Sequence, residues 1–484
     1  MMNRTKHVPR SLPMIAAFAF LIPGALFSQN NRKPGLPDAP QPNPAASSPV
    51  ELLAQSTPAA TMQTPTAPAN SSSSATSPRL TRRQAEQMAI KNNPRITVSH
   101  LLALAQHQVV RETRSAELPT ATAAMTAVDA EDGSRISAGS LTASRLFEHA
   151  GAGGNFTQLI TDFGRTGNLV ASSKLQEKAR DANALATAED IVVATDQAFY
   201  NALQAQALLQ VAQQNVDTRQ TTDNQIGSLT RSKLKSTLDL SFADVNLSQA
   251  KLLLLDARNN VDSSMAALDS VLGLDHQIIF QLVGSHEPLT APPPDPDQLT
   301  RLALQQRPDL QALIYDQQAE VKYSHAERDQ MLPSISAAGT VGSVPIRPAQ
   351  YYIANWWGGI GVNMSIPVFN GFLYSSQAKE ASLRAQAAAE QSRDLRDRIV
   401  RDVRTAWLAA NTAYQRVSVT AELLKQANLA LGLAQTRYQL GLSSIVELSQ
   451  AQYQQTDAAI GNTDAEYQYR LSLANLNYEI GATP

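Results

Sequence analysis

The sequence predicts a mainly α-helical protein with a small transmembrane β part, its framework occurring twice in one chain. Three observations carry that prediction. The chain repeats itself at a nearly constant offset, long proline-free stretches place apolar residues at helical spacing, and short stretches between them switch to alternation.

The repeat is read from matched pairs. Asn93-Pro94 and Leu118-Pro119 return as Arg307-Pro308 and Leu332-Pro333, 214 residues later. Further on the offset becomes 208: Ile191-Val192 matches Ile399-Val400, Ala198-Phe199 matches Ala406-Trp407, Ser236 matches Ser444, Asp239 matches Glu447, and Leu272-Gly273 matches Ile480-Gly481. The difference must be absorbed between the Leu-Pro pairs and Asp162/Asn370, where a loop differs in length between the halves. A first structural repeat is expected over 80–273, a linker over 274–298 and a second repeat over 299–481.

Each half has the same order: a helix, strand-like segments, a long helix, a turn and a second long helix. Leu395, Ile399, Val403, Ala406, Ala410, Tyr414, Val417, Ala421 and Leu424 mark one face of a helix. No proline stands between Phe372 and Ala482, so the first helix can run to about Gln439, some 65 residues or roughly 100 Å at 1.5 Å per residue. Its counterpart spans about Thr166 to Gln225. Such rods cannot bury themselves. Two long α-helical hairpins per chain are expected, rich in Ala so that helices approach closely, and together they are expected to form an α-barrel.

Before the second hairpin, Ile360, Val362, Met364 and Ile366 alternate with Gly361, Asn363 and Ser365. Tyr351, Tyr352, Trp356 and Trp357 stand at or before the start of this run, which suits an aromatic girdle at a membrane interface. Ala152, Gly154 and Phe156 are a weaker echo in the first half. With the segments after Pro119 and Pro333, each chain supplies about four β-strands. No helical stretch reaches the ~20 apolar residues of a membrane span, the densest run being Leu252 to Leu255, so a crossing must be made by strands. Four strands cannot close a barrel and an open edge in lipid is forbidden, so the chain must oligomerise: two copies give eight strands around a filled interior, three give twelve around a lumen.

Arg4, Lys6 and Arg10 precede an apolar stretch from Met14 to Phe27, which reads as an export signal over 1–28. A Pro-, Ala-, Ser- and Thr-rich stretch over 29–79 reads as a disordered tail. There is no cysteine, so thiolate chemistry and disulfides are excluded. Forty basic and 42 acidic residues in balance give no sign of a nucleic-acid partner. The seven histidines are scattered: His100 and His107, two turns apart, are too distant to share a metal by themselves. Asp295 and Asp297 sit among prolines and read as linker. No H-E-x-x-H, G-x-S-x-G or P-loop is present, so no enzyme, metal or cofactor is expected. The alternative to a channel is a structural or adhesive periplasmic coiled coil without a pore.

The duplicated junctions Ile160-Thr161-Asp162-Phe163-Gly164-Arg165 and Pro367-Val368-Phe369-Asn370-Gly371, and the turn Tyr438-Gln439-Leu440-Gly441-Leu442 leading into Ser444-Ile445-Val446-Glu447-Leu448, resemble those of the TolC family of outer-membrane efflux and secretion proteins. The resemblance covers nearly all of Leu80 to Gly481. It implies a homotrimer in outer-membrane lipid with a twelve-stranded β-barrel and a periplasmic α-barrel. It also implies a passive exit duct joined by a periplasmic adaptor to an inner-membrane transporter. Adaptor contacts are then expected at the hairpin turns, at Lys233, Leu234, Gly441, Leu442 and Ser443. The acidic ring at the closed end of relatives maps onto Glu447 and Gln450, with Asp239 as the first-half equivalent of Glu447. Glu447 has a second reading as a solvated glutamate in the first turn of a helix, favoured by the dipole, and Asp239 shares it. Lys233 and Ser443 depart from the glycine and basic residue common at these turns, which puts the polar latch of some relatives in doubt.

Overall fold

The computed structural model describes residues 78–129, 135–138, 141–145, 149–276, 278, 280–284, 288–346 and 355–482. The expected export signal, all but the last two residues of the expected tail, and Tyr351 and Tyr352 lie outside the described residues.

Strand β1 (Arg79–Thr81) leads into α1 (Arg82–Asn92), whose start is closed by a capping box between Thr81 and Gln84, and then into α2 (Pro94–Ser115). Strand β2 (Thr120–Val128), a small hairpin of β3 (Arg135–Ala138) and β4 (Leu141–Arg145), and β5 (His149–Thr161) follow. Helices α3 (Arg165–Arg231) and α4 (Thr237–Val271) form the first long hairpin. The second half repeats this order with β6 (Gln281–Val283), α5 (Pro296–Gln306), α6 (Pro308–Asp329), β7 (Ser334–Ile346), β8 (Trp356–Ser365), α7 (Leu373–Gln439) and α8 (Ile445–Glu479).

Three details differ from the sequence reading. The leading helix of each half is split in two, because Asn93 and Arg307 precede prolines and take extended backbone with ψ of 122° and 120°. Helix α3 runs to Arg231, past Gln225. The stretch read as linker contains β6, which pairs in parallel with β1, and the first residues of α5.

Two homologous cores hold the halves. The first joins Ala85 and Ala89 of α1, Ile191 and Ala202 of α3, and Leu268 and Leu272 of the α4 end. The second joins Leu299 and Ala303 of α5, Ile399 and Ala410 of α7, and Leu476 and Ile480 of the α8 end. These are the same positions displaced by 214 or 208. The returning helices α4 and α8 are 35 residues against 67 for α3 and α7, so they cover only part of each rod. Helices α2 and α6 pack along α3, and α6 also packs along α7.

Buried positions recur every seven residues: Ala205, Ala212, Arg219 and Ile226 on α3, Ala243, Ala250 and Ala257 on α4, Ala451, Ala458 and Ala465 on α8. A seven-residue repeat keeps one seam facing a partner, and alanine lets the backbones approach. The stripe read along α7 is buried from Ile399 to Ala410, but Ala421 is exposed and the buried seam resumes at Ala427 and Ala434. A straight run of 3.6-residue turns drifts against a 3.5-residue seam, so one extrapolated face does not follow the partner.

All four long helices near the turns and ends close with the same left-handed residue. Gly273, Gly441 and Gly481 take φ of 69°, 75° and 69°, but the fourth position is Lys233, at 60°. The backbone bonds match: Leu234 N donates to Leu229 O and Leu442 N to Arg437 O, each at 2.8 Å. A side chain in this region costs about 1–2 kcal/mol, and glycine returns part of that as unfolded-state entropy. Lys233→Gly is therefore expected to stabilise the hairpin by about 0.5–1 kcal/mol, read as a higher unfolding midpoint of the detergent-solubilised protein. An unchanged or lower midpoint would show that the lysine side chain compensates for its backbone.

Candidate channel surfaces and gate

The four main strands form one antiparallel sheet in the order β2-β5-β7-β8, so the halves meet at the β5–β7 pairing. Residues directly opposite share a face, and the register aligns chemistry across all four strands. One face carries Ala121, Ala123 and Met125, then Ala152 and Phe156, then Val341, then Ile360, Val362 and Met364. The other carries Thr122 and Thr126, Asn155 and Thr157, Thr340, and Asn363 and Ser365. On the polar face Thr340 Oγ1 donates to Asn155 Oδ1 at 2.8 Å. On the apolar face Ile360 is 90% exposed and Met125 87% exposed, covered by none of the described residues. The outer edges of β2 and β8 are likewise unpaired among the described residues.

Alternation separates the two tryptophans. Trp356 lies opposite Ser343 on the apolar face, whereas Trp357 lies opposite Gly342 on the polar one. The Trp357 ring occupies the space a Gly342 side chain would need, with a Cβ there 2.7 Å from the ring. A feature missed in the sequence lies at the helical end of the sheet. Phe163 and Phe372 both take left-handed backbone at the strand-to-helix junctions, and Phe369 and Phe372 stack edge-to-face at 5.7 Å while exposed. The signal was present for Phe163 and Phe369, which stand inside the two junction motifs, while Phe372 directly follows the second. Asp162 tightens the first junction by accepting from Thr166 N at 2.7 Å.

At the opposite end of the hairpins, the turns 232–236 and 440–444 pack side by side. Ile226, Ala243, Ala434, Tyr438, Ile445 and Leu448 form a buried cluster there. Ser444 caps α8 through its hydroxyl, and Glu447 stands in the first turn of that helix. Its carboxylate lies 3.2 Å from Arg437 Nε in the last turn of α7. Gln450 is exposed one turn further along α8. Asp239 closes the capping box of α4 with Ser236. Leu234, Gly441 and Leu442 are exposed at the turn surfaces with Lys233, while Ser443 is half-buried.

Sequence reasoning missed three residues here. Arg437 neutralises Glu447 across the turn, and Lys235 sets its ammonium 4.1 Å from the Tyr438 ring centroid, joining the two hairpins. Burial, then the charge of Asp239, pushes the Tyr438 hydroxyl above its usual pKa. A hairpin with a five-residue turn brings the last turn of one helix beside the first turn of the next, so the Arg437–Glu447 pair was readable from loop length.

Further along the seam Arg219 occupies the position held by Ala427 in the second half. It is buried, and its partners are neutral: it donates to Asn215 Oδ1 at 3.3 Å and to Gln452 of α8. Burial lowers its pKa from the usual value. A polar group at one heptad position sets register between helices, and this one ties α3 to α8.

Among the described residues no helix is long and apolar enough to cross a membrane, and no group of three or more His, Asp or Glu is placed to hold a metal. Fold and surfaces together define a class: a protein that joins a two-faced, open-edged sheet suited to a membrane wall to paired coiled-coil hairpins. Residues 85–274 and 299–482 both match the model of the outer membrane efflux protein family, and the chain belongs to that family. It is 25% identical over 231 residues to the outer membrane protein TolC of Salmonella enteritidis, a match covering 46% of this chain and 47% of that protein. It is 22% identical over 339 residues to TolC of Escherichia coli K12, covering 67% and 68%. Its fold superposes on the crystal structure of CusC with a TM-score of 0.73 at 18% identity, over 83% of this chain and 92% of that one. The mainly helical fold with its small β part and the outer-membrane location, reaching into the periplasm, are as the sequence analysis expected. The family is one of efflux channels, and this chain is an outer-membrane efflux channel component.

Proposed function

We propose that three copies of this chain close into one passive exit duct, their sheets forming a twelve-stranded barrel and their hairpins a periplasmic tube. The observation that carries this reading is the aligned, two-faced sheet with open edges. Its apolar face suits lipid, and its row of Thr, Asn and Ser suits a wet lumen. Two copies would give eight strands and an interior filled by side chains, leaving no place for that polar row; three give room for water. Trp356 with the apolar face, and Phe163, Phe369 and Phe372 at the helical end, supply aromatic residues for two girdles. Trp357, on the polar face, does not belong to them.

The duct performs no chemistry. It connects through the turns at Lys233, Leu234, Gly441, Leu442 and Ser443 to a periplasmic adaptor and thus to an inner-membrane transporter. Glu447, with Gln450 beside it and Asp239 in the neighbouring hairpin, narrows the periplasmic end. Three Glu447 carboxylates around a three-fold axis would repel one another and attract cations. The half-exposed pair with Arg437 is worth no more than about 1 kcal/mol, so it tempers this field without locking it.

Single-channel conductance of the detergent-solubilised oligomer in a planar bilayer tests the reading. Small cation-selective steps are expected in the wild type. Cation preference should fall in Glu447→Ala and rise in Arg437→Ala, which removes the compensating charge. Unchanged selectivity in both variants would keep the duct and remove Glu447 from its gate. A folded oligomer that gives no steps would favour the poreless coiled-coil stalk.

A further inference from the structure

The two halves meet in a cleft of about 690 Å³ that the duct reading does not use. Its walls come from the start of α1, from α3, from Val283, Gly284 and residues 288–290, and from α8. Three guanidinium groups line it: Arg82 and Arg83 from α1, and Arg470 from α8. Arg82 is already engaged, 2.9 Å from both Asp196 and Glu86. Arg83 and Arg470 have no carboxylate within ion-pair distance among the described residues, and no acidic side chain among them lines the cleft.

The framework does not require this charge. At the repeat-related positions the chain has Asp297 in place of Arg83 and Asp262 in place of Arg470, while Ala89, Ile191, Ala202 and Leu268 of the first core return as Ala303, Ile399, Ala410 and Leu476 of the second. Beside the arginines stand neutral polar groups. Asn477 and Tyr200 line the cleft, and their side-chain polar atoms bond to no described residue; the Thr290 carbonyl accepts from Tyr469 and so fixes that wall. Two guanidinium forks without a carboxylate partner among the described residues suit the planar, bidentate geometry of a carboxylate or phosphate, and an amide with a phenol suits hydroxyl groups. The volume falls in the range that takes a small organic ligand and not only an ion.

We infer that this cleft binds an acidic saccharide, with Arg83 and Arg470 holding its carboxylate or phosphate and Asn477 and Tyr200 its sugar hydroxyls. The site is independent of the gate, so its failure leaves the duct reading untouched.

Isothermal titration of the full-length detergent-solubilised oligomer is the test, with N-acetylmuramic acid as the carboxylate-bearing probe and N-acetylglucosamine as the same ring without it. Ionic strength is held constant. Saturable binding of the acid is expected, at least ~10-fold tighter than of the neutral sugar. Arg83→Ala and Arg470→Ala should each weaken it by ~10-fold, the size of one lost charge-assisted bond. Arg83→Lys, which keeps the charge, should retain part of the affinity, and unliganded melting temperatures show that the variants are folded. Displacement by glucose 6-phosphate would assign the preference to phosphate-bearing sugars within the same class. Absence of binding by both acidic sugars, equal binding of the neutral one, or full affinity in both alanine variants would overturn the proposal.

Discussion

Ile360→Arg is expected to abolish assembly of the protein in the outer membrane. Ile360 sits midway along β8 on the apolar face, 90% exposed within the chain, with only Gly339 opposite it. An arginine at the lipid-facing midplane of a barrel costs about 2–4 kcal/mol, and a trimer bears that cost three times. The nearby Asn363→Arg places the same charge on the opposite face, where water can solvate it. The expected result is loss of the heat-modifiable oligomer from the membrane fraction for Ile360→Arg and its retention for Asn363→Arg. Equal loss in both would mean that β8 does not present its apolar face to lipid, and would remove the main support of the barrel.

The second large effect is a pH dependence of stability centred on Glu86. Glu86 and Asp196 are both buried, sharing a single arginine, Arg82, at 2.9 Å from each. One Asp196 oxygen, Oδ1, is buried without a hydrogen-bond partner. Burial, reinforced by the neighbouring Asp196 carboxylate and opposed by Arg82 and Arg83, pushes the Glu86 carboxyl up to about 7 from 4.5. Because the folded state holds this proton more tightly than the unfolded chain, stability is greatest below the unfolded pKa and declines as pH rises from about 4.5 through 7. The decline amounts to roughly 1–3 kcal/mol per protomer, given about 1.4 kcal/mol per pKa unit. Glu86→Gln keeps the shape of the protonated acid and removes the titration. Denaturant unfolding at pH 4 and pH 8 should show the variant close to wild type at the lower pH and more stable by that amount at the higher. A difference between the two proteins that does not change with pH would rule out Glu86 as the titrating group.

The Glu86 pair shows where sequence reading stops. Arg82 and Glu86 stand one helical turn apart and could be paired on paper, but Asp196 is 110 residues further on in α3. It arrives only because α1 packs into the first core beside Phe199 and Ala202. The same holds for the cleft, where Arg83 and Arg470 are brought together from opposite ends of the folded chain. By contrast the Glu447–Arg437 pair spans one tight turn, and its partners could have been found by counting residues.

The duplication, the hairpins with their turns, the four strands of the main sheet and the order of these main elements were determined by the amino-acid sequence alone, whereas the split of the leading helices and the small strands β1, β3, β4 and β6 were not. The helices and strands rest on local periodicities of 3.6 and 2 and the duplication on matched residues at offsets of 214 and 208, so one half checks the other. Tertiary structure alone decided that the halves join at β5 and β7, that α2 and α6 cover the parts of the rods α4 and α8 do not reach, and that Arg219 is buried against Gln452. These depend on the relative register of segments separated by 60 residues, as Thr113 of α2 and Ser173 of α3, to 233, as Arg219 and Gln452. Register is set by packing between elements, and periodicity within one element says which face is apolar without saying which neighbour will cover it.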